Sequence, residues 1–343
     1  LRRFTKRRSS DFVNAKANLI DSFGRRIDYV RLSVTDRCDL RCRYCMAEKM
    51  QFLPREELLT LEELAELAAI FVRRGVQRIR LTGGEPLVRR GIEQLIGKIA
   101  ELGSRGLKEV TLTTNGTQLQ SKAAALYAAG ARRINVSLDS LDSERFAFVT
   151  RRGALQQVLD GLSAARAAGL SIKINMVALK GINEDEFCNM LRWCGEQGFD
   201  LCLIETMPLG AINELRADRY LPLNEVKERL ERDFTLVPSL HRTGGPARYF
   251  DVVETGRRVA FITPLSNNFC GGCNRIRVTA TGTIYGCLGH DQKVELRHIL
   301  RSEGVGAVDE ALDRLLAGKP ERHHFAIARA EPAVARHMSV TGG

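Results

Sequence analysis

Long apolar runs are missing from this 343-residue chain, and none approaches the roughly 20 residues of a membrane span. No membrane partner is expected. Aromatic residues are scarce at 6%, with a single Trp, and no basic stripe is interleaved with stacking side chains. Nucleic-acid binding on an aromatic platform is therefore not expected either. Nine cysteines are too few, at this length, for a disulfide scaffold. The start, "LRRFTKRRSSDF", carries five Lys or Arg before its first acid but no apolar core, so it does not read as a secretory signal. Residues 1–24 read as a basic, solvated segment.

What is present is an ordinary soluble composition, 44% hydrophobic and 27% charged, with a net charge of +11. The excess of Lys and Arg favours an anionic partner, such as a phosphate-bearing metabolite. The cysteines divide by spacing. Cys38, Cys42 and Cys45 form C-x3-C-x2-C, and Cys270, Cys273 and Cys287 form C-x2-C-x13-C. Cys188, Cys194 and Cys202 are isolated and read as small core residues. Two sets of three point to reduced, metal-binding thiolates in a reducing, cytoplasmic setting.

Strand and helix patterns alternate through the first two-thirds. Strands read at "YVRLSV" (29–34), "RIRLTGG" (78–84), "EVTLTTNG" (109–116), "RINVSLDS" (133–140), "SIKINMVAL" (171–179) and "DLCLIETM" (200–207). Helical periods fall at 61–75, 92–102, 121–130, 154–169 and 185–197, the first with Thr60 and Glu63 at capping-box spacing. Six such repeats imply a parallel sheet, either doubly wound or closing as a full or partial barrel. Both arrangements collect ligands at the carboxyl ends of the strands. The polar residues Thr113, Asn115, Ser137, Asp139, Lys173 and Asn175 lie on or at the ends of these strands. After about residue 208 the pattern changes to a helix at 224–233 capped by Asn224, shorter strands, and two short helices at 294–301 and 308–316. The division expected is 25–208 as core and 209–343 as a smaller extension.

Three cysteines cannot complete a four-ligand zinc site, and no histidine lies near the first set. On a 4Fe–4S cubane they leave one iron open. C-x3-C-x2-C after the first strand, followed by "LTGGEPL" (81–87) at the second, resembles the radical S-adenosylmethionine superfamily. The resemblance implies a partial (β/α)6 TIM barrel, a cluster on Cys38, Cys42 and Cys45, and S-adenosylmethionine contacts at Tyr44, Gly84, Ser137 and Met207.

The second set, in "NFCGGCNRIRVTATGTIYGCLG" (268–289), admits zinc completed by His290, or a second open cubane. Taken with "IRLTGGEPLVRR", "LTTNG", "INVSLDSLD" and the terminal Gly342-Gly343, it resembles the GTP 3′,8-cyclase subgroup, which opens molybdenum cofactor biosynthesis. That resemblance implies a second 4Fe–4S cluster in an α+β extension, on Cys270, Cys273 and Cys287. It implies GTP contacts at Arg31, Arg80, Thr113, Lys173, Arg275 and Arg277. Arg31, Arg275, Arg277, Gly342 and Gly343 are expected to take part in catalysis. The partners it implies are the downstream cyclic pyranopterin monophosphate synthase and an electron donor such as flavodoxin or ferredoxin, and it leaves a homodimer open. One departure stands out. The subgroup often carries an arginine where this chain has Cys202, and Arg78 and Arg192 are candidates to replace it. The competing readings are a radical enzyme acting on a peptide side chain and a basic zinc protein binding nucleic acid.

Overall fold

The computed structural model describes residues 18–212, 216–327 and 331–342. Most of the basic segment 1–24, and Gly343, lie outside the described residues. Strands β1 (Tyr29–Ser33), β2 (Arg78–Thr82), β3 (Glu109–Thr114), β4 (Arg133–Ser137), β5 (Ser171–Ala178) and β6 (Asp200–Glu205) pair in sequence order, all parallel. Between them run α1 (Leu61–Arg73), α2 (Ile92–Ala100), α3 (Leu119–Ala128), α4 (Ser143–Thr150), α5 (Leu155–Ala167) and α6 (Phe187–Gln197). This is a partial (β/α) barrel, as the family resemblance implies; the repeats alone left a doubly wound sheet open.

Local chemistry explains the elements. Thr60 Oγ1 accepts from Glu63 N while Glu63 Oε2 accepts from Thr60 N, closing the capping box of α1. The apolar side of α1 then buries Leu64, Leu67 and Phe71 completely. Truncating a side chain like Phe71 to alanine costs about 3–5 kcal/mol.

The sequence reading passed over α4. Its signal was present: Asp142 Oδ1 accepts from Arg145 N as an N-cap. The helix expected from Asn224 begins instead at Leu223, after Pro222, whose fixed φ suits a helix entry.

The extension after β6 contributes α7 (Arg216–Arg219), α8 (Leu223–Leu230), β7 (Leu236–Pro238), β8 (Arg248–Val252), β9 (Arg257–Ile262), β10 (Arg275–Val278), β11 (Thr283–Tyr285), β12 (Lys293–Glu295), α9 (Leu296–Ser302), α10 (Val305–Ala317) and α11 (Met338–Thr341). Its strands join the same sheet at both edges. β9 runs parallel to β6, and β10 runs parallel to β1, so the order is β12-β11-β10-β1-β2-β3-β4-β5-β6-β9-β8-β7. The consequence for function is that β10, and the cysteine loop before it, stand directly beside β1. Among the described residues no helix is long and apolar enough to cross a membrane.

Candidate active site

A cavity of about 270 Å³ opens at the carboxyl ends of the parallel strands. Both cysteine sets line it, as do Arg31, Tyr44, Arg80, Gly84, Thr113, Ser137, Lys173, Met207, Arg275 and Arg277. Residues as far apart in the chain as Tyr29 and Ser339 thus share one wall.

The first cysteine loop follows β1. Cys45 N and Met46 N both donate to Cys42 O, at 3.0 and 3.2 Å, which folds the loop into a turn. It is pinned to the end of α4, where Arg41 N and Arg43 N donate to Thr150 O and Val149 O. Arg151, at φ 62°, follows that helix and donates to Arg41 O at 3.0 Å. The β2 end packs flush against this loop: a Cβ on Gly84 would lie 2.3 Å from Arg37 O, so only glycine fits there. Behind the loop, the buried Glu85 carboxylate accepts from Leu87 N, Thr114 Oγ1 and Asn115 N, tying the ends of β2 and β3 together. Burial still lifts it to about 7. Tyr44 Oη donates to Asp139 Oδ2 at 2.8 Å, and burial lifts that acid to about 6.

The donor set fits an iron–sulfur cluster. All six cysteines are free thiols. Burial pushes Cys38 up to about 12, Cys45 to about 11 and Cys42 well above its ordinary value. These groups become thiolates only when a bound cation compensates. Among the described residues no three His, Cys, Asp or Glu converge as ligands of one ion do. Cubane ligands sit on separate irons and need not. His290, the expected fourth zinc ligand of the second set, is instead hydrogen-bonded through Nε2 to Arg322 O at 3.0 Å and does not line the cavity.

The second set sits in positive surroundings that sequence reasoning missed. Arg25 Nη1 donates to Cys270 O at 2.9 Å while its Nε binds Asp21 at 2.6 Å. Lys319, 2% exposed, packs its stem where a Gly286 Cβ would reach, next to Cys287. Burial raises Cys273, but Arg275, Lys319 and Arg25 outweigh it and hold the thiol below its ordinary value. No short motif marks Arg25 or Lys319, because their partners are remote in sequence.

The arginines form a row. Arg31 on β1 lies in register with Arg80 on β2 and with Arg277 on β10, so three guanidiniums stand side by side on adjacent strands. Burial first, then Arg277 and Arg80, holds Arg31 well below its ordinary value; burial and Arg275 bring Arg277 to about 10. Such crowding is costly unless an anion fills the cavity. Tyr29 Oη, Arg80 Nε, Thr82 Oγ1, Thr113 Oγ1 and Asn175 Oδ1 are buried there without a hydrogen-bond partner among the described residues. His323 and Phe325, stacked at 4.1 Å, also line the cavity and carried no sequence signal.

Neither candidate replacement for the absent arginine reaches the cavity. Arg78 shares the face of Tyr29 but pairs with Asp28 at 3.0 Å. Arg192 on α6 pairs with Asp233 at 3.2 Å, at the surface. Gly342, at the chain end, does reach the site. Arg277 Nη1 donates to Gly342 O at 2.6 Å and to Thr341 O at 3.3 Å.

The radical SAM superfamily model matches residues 32–194, and the Molybdenum Cofactor Synthesis C model matches residues 199–325. A GTP 3′,8-cyclase of Erythrobacter litoralis is 59% identical over 331 residues, covering 96% of this chain and 100% of the relative. The chain belongs to the GTP 3′,8-cyclase family. A second member, from Sinorhizobium medicae, is 54% identical over 343 residues, with 99% of this chain and 98% of that one covered. Among solved structures, SuiB of Streptococcus suis superposes with a TM-score of 0.59 at 14% identity, over 88% of this chain and 77% of that one, a likeness of fold. Within the cyclase family frame, the two matches meet just before β6, so the second match takes in the last core strand together with most of the extension.

Proposed function

We infer that the chain is a GTP 3′,8-cyclase, which takes GTP, removes the ribose 3′ hydrogen and joins C3′ to C8 of guanine at the start of molybdenum cofactor synthesis. The observation that carries this is the single cavity lined by two cysteine triads and the Arg277–Arg31–Arg80 row. Cys38, Cys42 and Cys45 would hold one 4Fe–4S cluster, and Cys270, Cys273 and Cys287 the other. When bound, the first cluster and S-adenosylmethionine supply a 5′-deoxyadenosyl radical that abstracts hydrogen.

The chain's own residues bind and orient. Tyr44, Gly84, Ser137 and Met207 would hold S-adenosylmethionine, with Tyr44 itself held by Asp139. Arg31, Arg80, Lys173, Arg275 and Arg277 would bind the triphosphate, whose charge relieves their mutual repulsion. Thr113 Oγ1, buried and unpartnered among the described residues, would donate to the same substrate. Arg31, Arg275 and Arg277 would also hold the reacting nucleotide in place. Gly342 would close the cavity beside it, and a catalytic part for Gly343 stays a proposal from the family resemblance. Positioning is the main task, because hydrogen abstraction needs the ribose within a few ångströms of the radical carbon. An external one-electron donor of the flavodoxin or ferredoxin class and a downstream pyranopterin-forming enzyme complete the reading, in a reducing cytoplasm.

The test is anaerobic reconstitution with iron and sulfide, then incubation with S-adenosylmethionine and a reductant. Formation of 5′-deoxyadenosine should depend on GTP. Turnover indifferent to GTP, or zinc in place of iron, would refute the assignment.

A further inference from the structure

Lys173 is 6% exposed and lines the cavity, yet no carboxylate pairs with it among the described residues. Its Nζ donates to Tyr249 Oη at 3.1 Å and lies 5.5 Å from that ring's centroid. Tyr249 comes from β8 in the extension, three strands away from β5 across the sheet. The register shows how it reaches. Tyr249 faces Ala260 on β9, Ala260 faces Cys202 on β6, and Cys202 faces Asn175 on β5. Cys202 and Ala260 are fully buried and pack with Ala247 and Tyr249 as a small cluster apart from the main core. Two short side chains in a row leave a trough, and the phenol ring lies along it.

We propose that Tyr249 is a positioning residue that aims Lys173 at the substrate, and that Cys202 and Ala260 are kept small to admit it. The proposal rests on the reading of Lys173 as a substrate contact. A phenol suits this task for a physical reason. It accepts a hydrogen bond from the ammonium without cancelling its charge, so the full positive charge faces an anionic ligand. A carboxylate in the same place would compete with the phosphates. The phenol is itself held: Thr243 Oγ1 lies 3.3 Å from Tyr249 Oη, and the His241 ring meets the Tyr249 ring edge-on at 4.6 Å. With Lys173 donating, the phenol hydrogen turns to Thr243, which completes a chain from the extension to the cavity. Cys202 is thus a space-maker. A long side chain there would occupy the volume of the ring.

The experiment measures GTP binding to the cluster-loaded enzyme without S-adenosylmethionine, so that no turnover occurs, and KM and kcat separately. Tyr249→Phe keeps the ring and removes only the acceptor. It should weaken GTP binding about tenfold and raise KM alike, with kcat and S-adenosylmethionine binding within about twofold of wild type. Cys202→Leu should weaken GTP binding similarly by filling the trough, and Cys202→Ala should not. In Lys173→Gln, where binding is already weakened, adding Tyr249→Phe should change little. Wild-type GTP binding by Tyr249→Phe, or additive losses in the double variant, would overturn the positioning role alone. Wild-type binding by Lys173→Gln would overturn the substrate-contact reading beneath it.

Discussion

Gly342→Ala is a small change with a calculable effect. Gly342 has φ 74° and ψ 121°, a region that costs a side-chain-bearing residue about 1–3 kcal/mol. A Cβ there would lie 1.9 Å from Thr82 Oγ1 and 2.4 Å from Thr82 Cβ. A rotamer change removes the first overlap but not the second, because Thr82 is fixed in β2, in register with Ser33. The tail must therefore withdraw. What holds it is the Arg277 pair of bonds to Gly342 O and Thr341 O, each worth about 1.5–3 kcal/mol as a bond to a charged donor, and burial of Ser339 and Thr341. Strain and the overlap with Thr82 both work against that docking energy, so the undocked tail gains population. The barrel does not depend on α11, a helix of four residues. Melting temperature and iron content should thus stay at wild-type values, while hydrogen exchange at 338–342 speeds up and kcat falls at least about tenfold. Wild-type protection and wild-type kcat in Gly342→Ala would refute the reasoning.

Cys270→Ser should reduce iron from about eight to about four per chain and abolish productive GTP binding, while S-adenosylmethionine binding persists; unchanged GTP affinity would contradict the role of the second triad. Lys319→Met removes a buried cation beside Cys273 and Cys287, so the midpoint potential of that cluster should fall while the first cluster's stays fixed, read by redox titration with electron paramagnetic resonance. Glu85 is raised from 4.5 to about 7 by burial, so it favours the protonated folded state. Its stabilising contribution is complete below about 4.5 and is lost as pH rises through about 7. Between about pH 6 and about pH 8 that loss is about 1 kcal/mol. Thermal unfolding of the loaded protein should show Glu85→Gln with a smaller drop across this window, and an identical drop would count against a raised Glu85.

The sequence carried the barrel because each β/α unit is local. Its apolar strands, capping box and glycine stops all act within a few residues. The cysteine triads and strand arginines were legible for a related reason, since alternation along a strand sets which face Arg31 and Arg80 present. What stayed hidden depends on distant pairings. Nothing near residues 248–252 or 275–278 says that these strands will extend opposite edges of one sheet. Arg78 shows the limit of face arguments: it shares a face with Tyr29, and Asp28 takes its charge. Arg25, Lys319 and Tyr249 act on the site from elements remote in sequence, so only the folded chain reveals them.

The central claim is that one cavity brings a radical source to the ribose of GTP. GTP labelled with deuterium at C3′ tests it directly, by mass spectrometry of the 5′-deoxyadenosine formed. Transfer of a single deuterium into 5′-deoxyadenosine is the predicted result, and 5′-deoxyadenosine formed without deuterium would contradict the account.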